Sequence, residues 1–257
     1  MFQIDLTNKT VLITGATSGI GRGIARQMAV AGANISCCAE SSDDSGLLQE
    51  LQEYKVKARY TPCDVTNEEQ LKGFVNTTIE TFGGVDVLVS NAGSNVFTGA
   101  GASTEKDWER NMNLNLTAHW KLARLCKPYL EKNNGVIIIM TSNHAFTTLP
   151  GCFPYNVTKT ALTGLVRALQ IEWGPLIRTV GIAPGFIDTP GNQQWFDAFP
   201  DATAERKKTV ELHPVKKLGT PDEIGAWCVF LASEYASFGA GTTYLIDGGR
   251  SALMQDN

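Results

Sequence analysis

Tyr155 and Lys159 lie four residues apart in Tyr155-Asn156-Val157-Thr158-Lys159, a stretch that reads as helix. That spacing puts a phenol and an ammonium on one helical face, with Cβ atoms roughly 6 Å apart. A phenol releases its proton near pH ~10 and is a poor base at neutral pH. A fixed cation beside it favours the phenolate and brings proton transfer within reach. Alone, the pair reads as an amphipathic surface contact, so its chemistry depends on what else the chain brings to it.

Several segments offer partners. Ser142 closes the apolar run Val136–Met140 and Thr141, thirteen residues before Tyr155, and its hydroxyl could bond a substrate oxygen. Asn115 falls within a helical pattern over 105–131, where Asn is a mediocre former. Its amide could hold a water or interrupt the backbone ladder. Thr14-Gly15-Ala16-Thr17-Ser18-Gly19-Ile20-Gly21 follows the strand-like Val11-Leu12-Ile13 and opens a helix. Such a turn admits a pyrophosphate to the backbone, and the helix start offers free N–H groups and a favourable dipole. The glycines fall at 15, 19 and 21, so this is not Gly-x-Gly-x-x-Gly. Asp64, followed by Val65, could accept from an adenine amino group; a helix N-terminal charge is the plain alternative. Asn91-Ala92-Gly93 ends a further strand, where small residues let a cofactor lie across the edge.

The elements that must position these groups alternate. Strands are expected at Thr10–Thr14, Ala33–Cys38, Ala58–Thr61, Val85–Ser90, Val136–Thr141, Thr179–Ile182 and Thr242–Ile246. Helices are expected near 19–31, 43–54, 67–82, 105–131, 155–173 and 221–232. Strands apolar throughout suit a parallel sheet covered on both faces. The alternation predicts an α/β fold: a single-domain, Rossmann-type, doubly wound parallel sheet of about seven strands spanning 1–257. Ligands of such sheets bind at the carboxyl edge, where the glycine turn, Asp64 and Asn91–Gly93 converge. The segment 186–219 breaks the rhythm with Trp195, Phe196, Phe199 and three prolines and no strand, and reads as a lid over the site.

Bulk properties narrow the function classes. Hydrophobic residues at 43% and charged residues at 19% leave ample core for one large domain. A formal net charge of −4 without a basic block argues against nucleic acid. Six cysteines without Cys-x-x-Cys spacing and only three histidines indicate reduced thiols and neither zinc nor disulfides. Met1–Leu6 lacks a leader's charged start and apolar core, and no apolar run is long enough to cross a bilayer, so a cytoplasmic location is expected.

In order along the chain, Thr14-Gly15-x3-Gly19-Ile20-Gly21, Asp64, Asn91-Ala92-Gly93, Asn115, Ser142, Tyr155-x3-Lys159, Pro184-Gly185 with Thr189, and Asp247-Gly248-Gly249 resemble the short-chain dehydrogenase/reductase family in its shorter, classical form. The resemblance spans about residues 5 to 250. It implies Tyr155 as general acid/base, Ser142 orienting the reacting oxygen, and Lys159 lowering the phenol's pKa while bonding the nicotinamide ribose. Asn115 would hold a relay water, and Thr189 with the backbone near Ile187 would fix the carboxamide. Gly15, Thr17, Ser18, Gly19, Ile20, Gly21, Glu40, Asp64, Val65, Asn91, Ala92, Gly93 and Pro184 complete the implied dinucleotide site. No metal is required. A homotetramer is also implied, through 105–131, 155–173 and the C-terminal strand and helix; Leu162, Leu165, Val166, Leu169 and Trp173 exceed one sheet-facing stripe. Val180 departs from the family's usual Asn near the Pro-Gly strand end.

The cofactor expected is NAD, with NADP disfavoured. Ala39 and Glu40 end the second strand, and residues 39–45 contain no cation. A carboxylate ~4 Å from a phosphate charge is repelled by about 4 kcal/mol at an effective dielectric near 20. Candidate substrate contacts are Asn95, His144, Phe146, Phe153, Trp195 and Phe196. Asn95 and His144 point towards a small-molecule sugar, polyol or hydroxy acid carrying a secondary alcohol. The alternatives are an NADPH-dependent 3-oxoacyl-carrier-protein reductase and a non-catalytic dinucleotide-binding regulator.

Overall fold

The computed structural model describes residues 4–253. The reading of Met1–Gln3 as part of a leaderless start, and the last four positions of the 1–257 span, lie outside the described residues. Seven strands form one sheet: β1 (Thr10–Thr14), β2 (Asn34–Ala39), β3 (Ala58–Pro62), β4 (Val87–Ser90), β5 (Val136–Met140), β6 (Arg178–Pro184) and β7 (Thr243–Ile246). Their spatial order is β3-β2-β1-β4-β5-β6-β7, and every pairing is parallel. The order reverses between β1 and β4, which opens a crevice at the carboxyl ends.

Every residue of β1, β4 and β5 is buried, because helices cover both faces. The two-residue period deals them to separate cores. Val11 and Ile13 face Ile24 and Met28 of α1 (Gly19–Val30) and Leu231 of α9 (Pro221–Ala232). Leu12 faces the opposite cluster, with Phe74 of α3 (Glu68–Phe82), Leu122 of α5 (Ala118–Asn133) and Val166 of α6 (Tyr155–Trp173). Leu162, Val166 and Leu169 are buried in that cluster, while Leu165 and Trp173 pack partly buried against it.

Helices α1 and α9 cross with their backbones in contact. A Cβ on Gly23 would stand 2.4 Å from the Pro221 carbonyl carbon, and one on Gly225 would stand 2.6 Å from the Gly23 oxygen. Arg26 flanks the crossing, with Nη1 donating to both Asp222 oxygens at 2.8 Å. Glu50, in α2 (Leu47–Gln52), accepts from Arg22 at 2.7 Å and Arg26 at 2.5 Å.

Two expectations need correction. The helix expected over 43–54 contracts to α2, because Asp43 and Asp44 accept from the Ser45 and Gly46 amides and hold a left-handed turn there. The continuous helix over 105–131 divides into α4 (Glu105–Met112), a π-helical turn at Asn113–Thr117, and α5. Between 186 and 219 the chain forms two helices, α7 (Pro190–Asp197) and α8 (Ala202–Glu211). The base of this excursion is closed by an isolated parallel bridge between Ile187 and Gly219. All six cysteines are unpaired and buried. Among the described residues, no helix is long and apolar enough to cross a membrane.

Candidate active site

The glycine turn is built for close approach. Gly15 and Gly19 take left-handed φ values of +68° and +52°, and a Cβ on Gly21 would lie 2.0 Å from the Gly15 oxygen. Ser18, at the N-cap of α1, makes no side-chain cap bond, and no acidic residue occupies the first turn. The N–H groups of that turn are thus left for an anion. Thr14 Oγ1 accepts from the Asn91 and Ala92 amides, both at 3.0 Å. Asn91 Nδ2 donates to the Thr14 and Gly15 carbonyls at 2.9 and 3.2 Å, so its amide ties β4 to the turn. A Cβ on Gly19 would come 3.3 Å from Thr189 Cγ2, which brings the turn and the 189 segment together.

Other expected dinucleotide residues line the same edge. Glu40 is exposed just beyond β2, and Val65 is buried. Asp64 Oδ1 accepts from the Thr66 amide and hydroxyl at 2.8 and 2.7 Å. Ile187 is buried, and its carbonyl accepts from Asn192 at 2.7 Å; Thr189 caps α7, following Pro184 at the end of β6. Glycines without room for a side chain and an uncapped helix start fit a dinucleotide pyrophosphate.

Asn115 sits fully buried in the π-helical turn. Its Oδ1 accepts from the Ser94 amide at 3.0 Å, and its Nδ2 donates to the Ser94 carbonyl at 2.9 Å and to Asn111 Oδ1 at 2.8 Å. Asn111 in turn donates to the Pro154 carbonyl at 2.9 Å. The side chain therefore anchors the loop after β4 and the residue preceding Tyr155, with both amide atoms engaged by protein. The π-helical turn in which it sits interrupts the regular helix at this point.

Tyr155 opens α6, and Lys159 follows one turn later. They are 8% and 4% exposed, which decides their electrostatics. Lys159 Nζ donates to the Met140 carbonyl at 3.1 Å and lies 5.5 Å from the Tyr155 ring centre. Burial lowers the Lys159 pKa to about 8. Burial likewise pushes Tyr155 up to about 12; the Ser142 hydroxyl pulls the other way, and Cys152 adds to the rise. Desolvation is the dominant cause, and it opposes the depression that the family resemblance implies for Lys159. Ser142, also buried, accepts from the His144 amide at 3.2 Å.

Two rings pack against the phenol. His144 lies 5.9 Å from Tyr155, and Phe97 meets it edge-on at 5.2 Å. Phe97 was no sequence candidate; it arrives through its bridge to Pro154, on the exposed loop that also carries Asn95. The other aromatic candidates stand apart from this pair. Phe153 stacks on Trp108 at 5.8 Å, and Phe146 is exposed. Trp195 packs on Phe186, Phe196 and Phe199 in the 186–219 segment. A further group missed from sequence is His119, buried beneath the crevice: Nδ1 pairs with Ser90 Oγ at 2.7 Å and Nε2 has no hydrogen-bond partner among the described residues. Burial, then the Lys159 charge, lowers its pKa to about 3, so it is neutral.

A cavity of about 620 Å³ lies elsewhere, lined by Phe186, Ile187, His213, Trp227, Phe230 and Asp247 among others. None of Ser142, Tyr155 and Lys159 lines it. Among the described residues, no group of three or more His, Cys, Asp or Glu could hold a metal ion.

Comparison with known proteins accords with this geometry. A family model described as enoyl-(acyl carrier protein) reductase matches residues 15–251. The human protein named dehydrogenase/reductase SDR family member 4 is 35% identical over 254 residues, 97% of this chain and 90% of that protein. L-fucose dehydrogenase of Oryctolagus cuniculus is 37% identical over 247 residues, 94% of this chain and 84% of that protein. The ligand-free structure of Thermoplasma acidophilum aldohexose dehydrogenase superposes with a TM-score of 0.90 at 28% identity, covering 100% of this chain and 99% of that one.

Proposed function

The chain belongs to the short-chain dehydrogenase/reductase family, and from that premise we propose that it is a dehydrogenase interconverting a secondary alcohol and its carbonyl, with NAD preferred over NADP. One observation carries the reading: Ser142, Tyr155 and Lys159 are buried together at the sheet's carboxyl edge, on the side where the glycine turn leaves its amides open. A Cβ on Gly93 would lie only 3.5 Å from Lys159 Nζ, so β4 and α6 close on one crevice. When bound, the nicotinamide supplies the acceptor or donor of the hydride.

The chain's residues supply the rest. Gly15, Thr17, Ser18, Gly19, Ile20 and Gly21 would hold the pyrophosphate, Asp64 and Val65 the adenine, and Ala92, Gly93, Tyr155 and Lys159 the ribose side. Pro184, Ile187 and Thr189 would hold the carboxamide. Ser142 Oγ donates to the reacting oxygen. In oxidation Tyr155 Oη takes the hydroxyl proton as the carbinol hydrogen leaves as hydride; in reduction it returns that proton to the oxygen. With its pKa near 12, Tyr155 keeps its proton at neutral pH, and the ammonium of Lys159 is what would bring it towards a useful acid and base. Asn115 fixes the two segments between which Tyr155 is set.

Several features favour NAD. Glu40 is exposed at the end of β2. Arg22, whose Nη1 bonds the Thr17 and Ser45 carbonyls, is already paired with Glu50. The substrate is read as a sugar, polyol or hydroxy acid, with His144 and Phe97 facing it and the 186–219 segment as its lid. L-fucose and aldohexose dehydrogenases among the relatives support the sugar side of that range. The description of the matching family model favours a second reading, an acyl-carrier-protein thioester as substrate. We further propose a cytoplasmic homotetramer; the apolar cavity wall at Trp227 and Phe230 continues the α9–β7 face expected to be covered.

The test is absorbance at 340 nm with NAD and NADP across sugars, polyols, hydroxy acids and a 3-oxoacyl thioester. Tyr155→Phe should remove turnover while retaining dinucleotide binding. Near-full activity of that variant would refute the mechanism, and a higher kcat/KM with NADP would refute the cofactor preference. Sedimentation and cell fractionation test assembly and location.

A further inference from the structure

The cavity beside α9 lies apart from Ser142, Tyr155 and Lys159 and holds one unanswered polar group. Ile187, His213, Ile224 and Asp247 form its floor, all of them buried, and Val215, Ala226 and Trp227 its exposed mouth. Phe186 and Phe230 supply aromatic sides. At about 620 Å³ it falls within the roughly 300–1,000 Å³ of small-molecule pockets, and like them it is mostly apolar with a few polar groups.

Those polar groups are not equally free. Asp247 Oδ1 accepts from the Gly249 amide at 2.9 Å and Oδ2 from the Ser251 amide at 2.7 Å. Lys217 pairs with Glu223 at the rim. His213 is different. Its Nδ1 lies 2.7 Å from the Thr209 carbonyl, which can only accept, so Nδ1 carries the proton. Burial lowers the ring's pKa and keeps it neutral, so Nε2 is left as a lone pair. That atom is buried and has no hydrogen-bond partner among the described residues. The same edge of the ring borders the cavity. A Cβ on Gly248, itself a lining residue, would stand 3.5 Å from His213 Cδ2, the carbon bonded to Nε2, and 2.7 Å from Val215 Cγ2. Val215 is 54% exposed, so turning its side chain outward would open that edge to an occupant.

We propose that this cavity binds an uncharged, mostly apolar ring compound whose hydroxyl donates to His213 Nε2, at a site separate from the catalytic one. Asp247 and Lys217 already have partners, which leaves no charge free for an ionic ligand. A buried acceptor without a donor is costly, and a hydroxyl answers it with one hydrogen. Water would answer it too, but would gain nothing from the aromatic sides. A second copy packing on Trp227 would roof the mouth and leave the floor at His213 to a small molecule. The occupant would lie against Ile187 and Gly219, whose bridge closes the base of the 186–219 segment.

The experiment is calorimetric titration of the full chain with 2-naphthol and with 2-methoxynaphthalene, which keeps the rings and loses the donor. The naphthol should bind one per chain and roughly 3- to 10-fold more tightly than the ether. His213→Phe should bring the two affinities together. Ala226→Trp, which fills the mouth from an exposed helix position, should remove binding of both, whereas Tyr155→Phe, at the other site, should alter neither. Equal affinities in the parent chain overturn the His213 assignment, even where His213→Phe fails to fold. Absence of saturable naphthol binding, or binding that survives Ala226→Trp, overturns the site. Binding that appears only as sedimentation shows an oligomer dissociating assigns the cavity to a second copy and overturns the proposal.

Discussion

Replacing Lys159 by Met should stabilise the protein while ending its turnover. The ammonium is 4% exposed, and its bond to the Met140 carbonyl joins it to no opposite charge. Burial takes its pKa from 10.5 to about 8, which at 1.36 kcal/mol per pH unit makes the buried charge cost about 3 kcal/mol. Losing the carbonyl bond returns about 1–2 kcal/mol of that. At pH 7 Lys159→Met should therefore be about 1–2 kcal/mol more stable than the parent. The pH dependence isolates the cause. Below pH 8 both folded and unfolded Lys159 are protonated, and the difference between the proteins is flat. Between pH 8 and 10.5 the unfolded chain holds a proton that the folded chain has released, so the parent gains stability as pH rises. The advantage of Lys159→Met should shrink by about 3 kcal/mol across that window. Urea denaturation of both proteins at pH 7 to 10.5 reads it, because other titrating groups cancel in the difference. A constant difference, or a variant less stable at pH 7, would refute the assignment of a strained, unpaired ammonium.

Thr14→Val should cost about 1–3 kcal/mol in chemical denaturation, because two partly buried amides lose one acceptor, whereas Thr14→Ser should stay near the parent. Gly21→Ala places a methyl 2.0 Å from the Gly15 oxygen; fluorescence titration with NADH should show dinucleotide binding lost, with stability lowered as well. Arg206→Ala removes the guanidinium that pairs with Asp188 and holds its carboxyl below the usual range. If the 186–219 segment is the lid, KM in that variant should rise several-fold more than kcat falls.

Sequence patterning carried the sheet, because strands buried on both faces must be apolar at every position, as Val136–Met140 is. It carried α6 to the residue, since Tyr155–Trp173 keeps one helical period throughout. Asn115 hinted at an interruption, but the π-helical turn could not be located because an inserted residue leaves the apolar period on either side intact. Phe97 escaped because its coil segment has no period, and its place beside Tyr155 comes from a bridge to Pro154, far along the chain. Residue spacing reports the cation beside Tyr155 but not the burial that pushes its pKa up to about 12.

The crossing of α1 and α9 bears on how this chain can be recombined with its relatives. Gly23 and Gly225 leave no room for a methyl against each other's helices, and Arg26 reaches Asp222 beside them. The helix that starts at the glycine turn is thus matched, atom to atom, with one nearly two hundred residues later. A chimera that takes residues 1–150 from one parent and the remainder from another inherits one side of that fit from each. Such hybrids should fold only where both parents carry the two glycines, whatever their overall identity. Exchanging 186–219 alone leaves the crossing untouched, which makes that segment the natural unit for transplanting specificity.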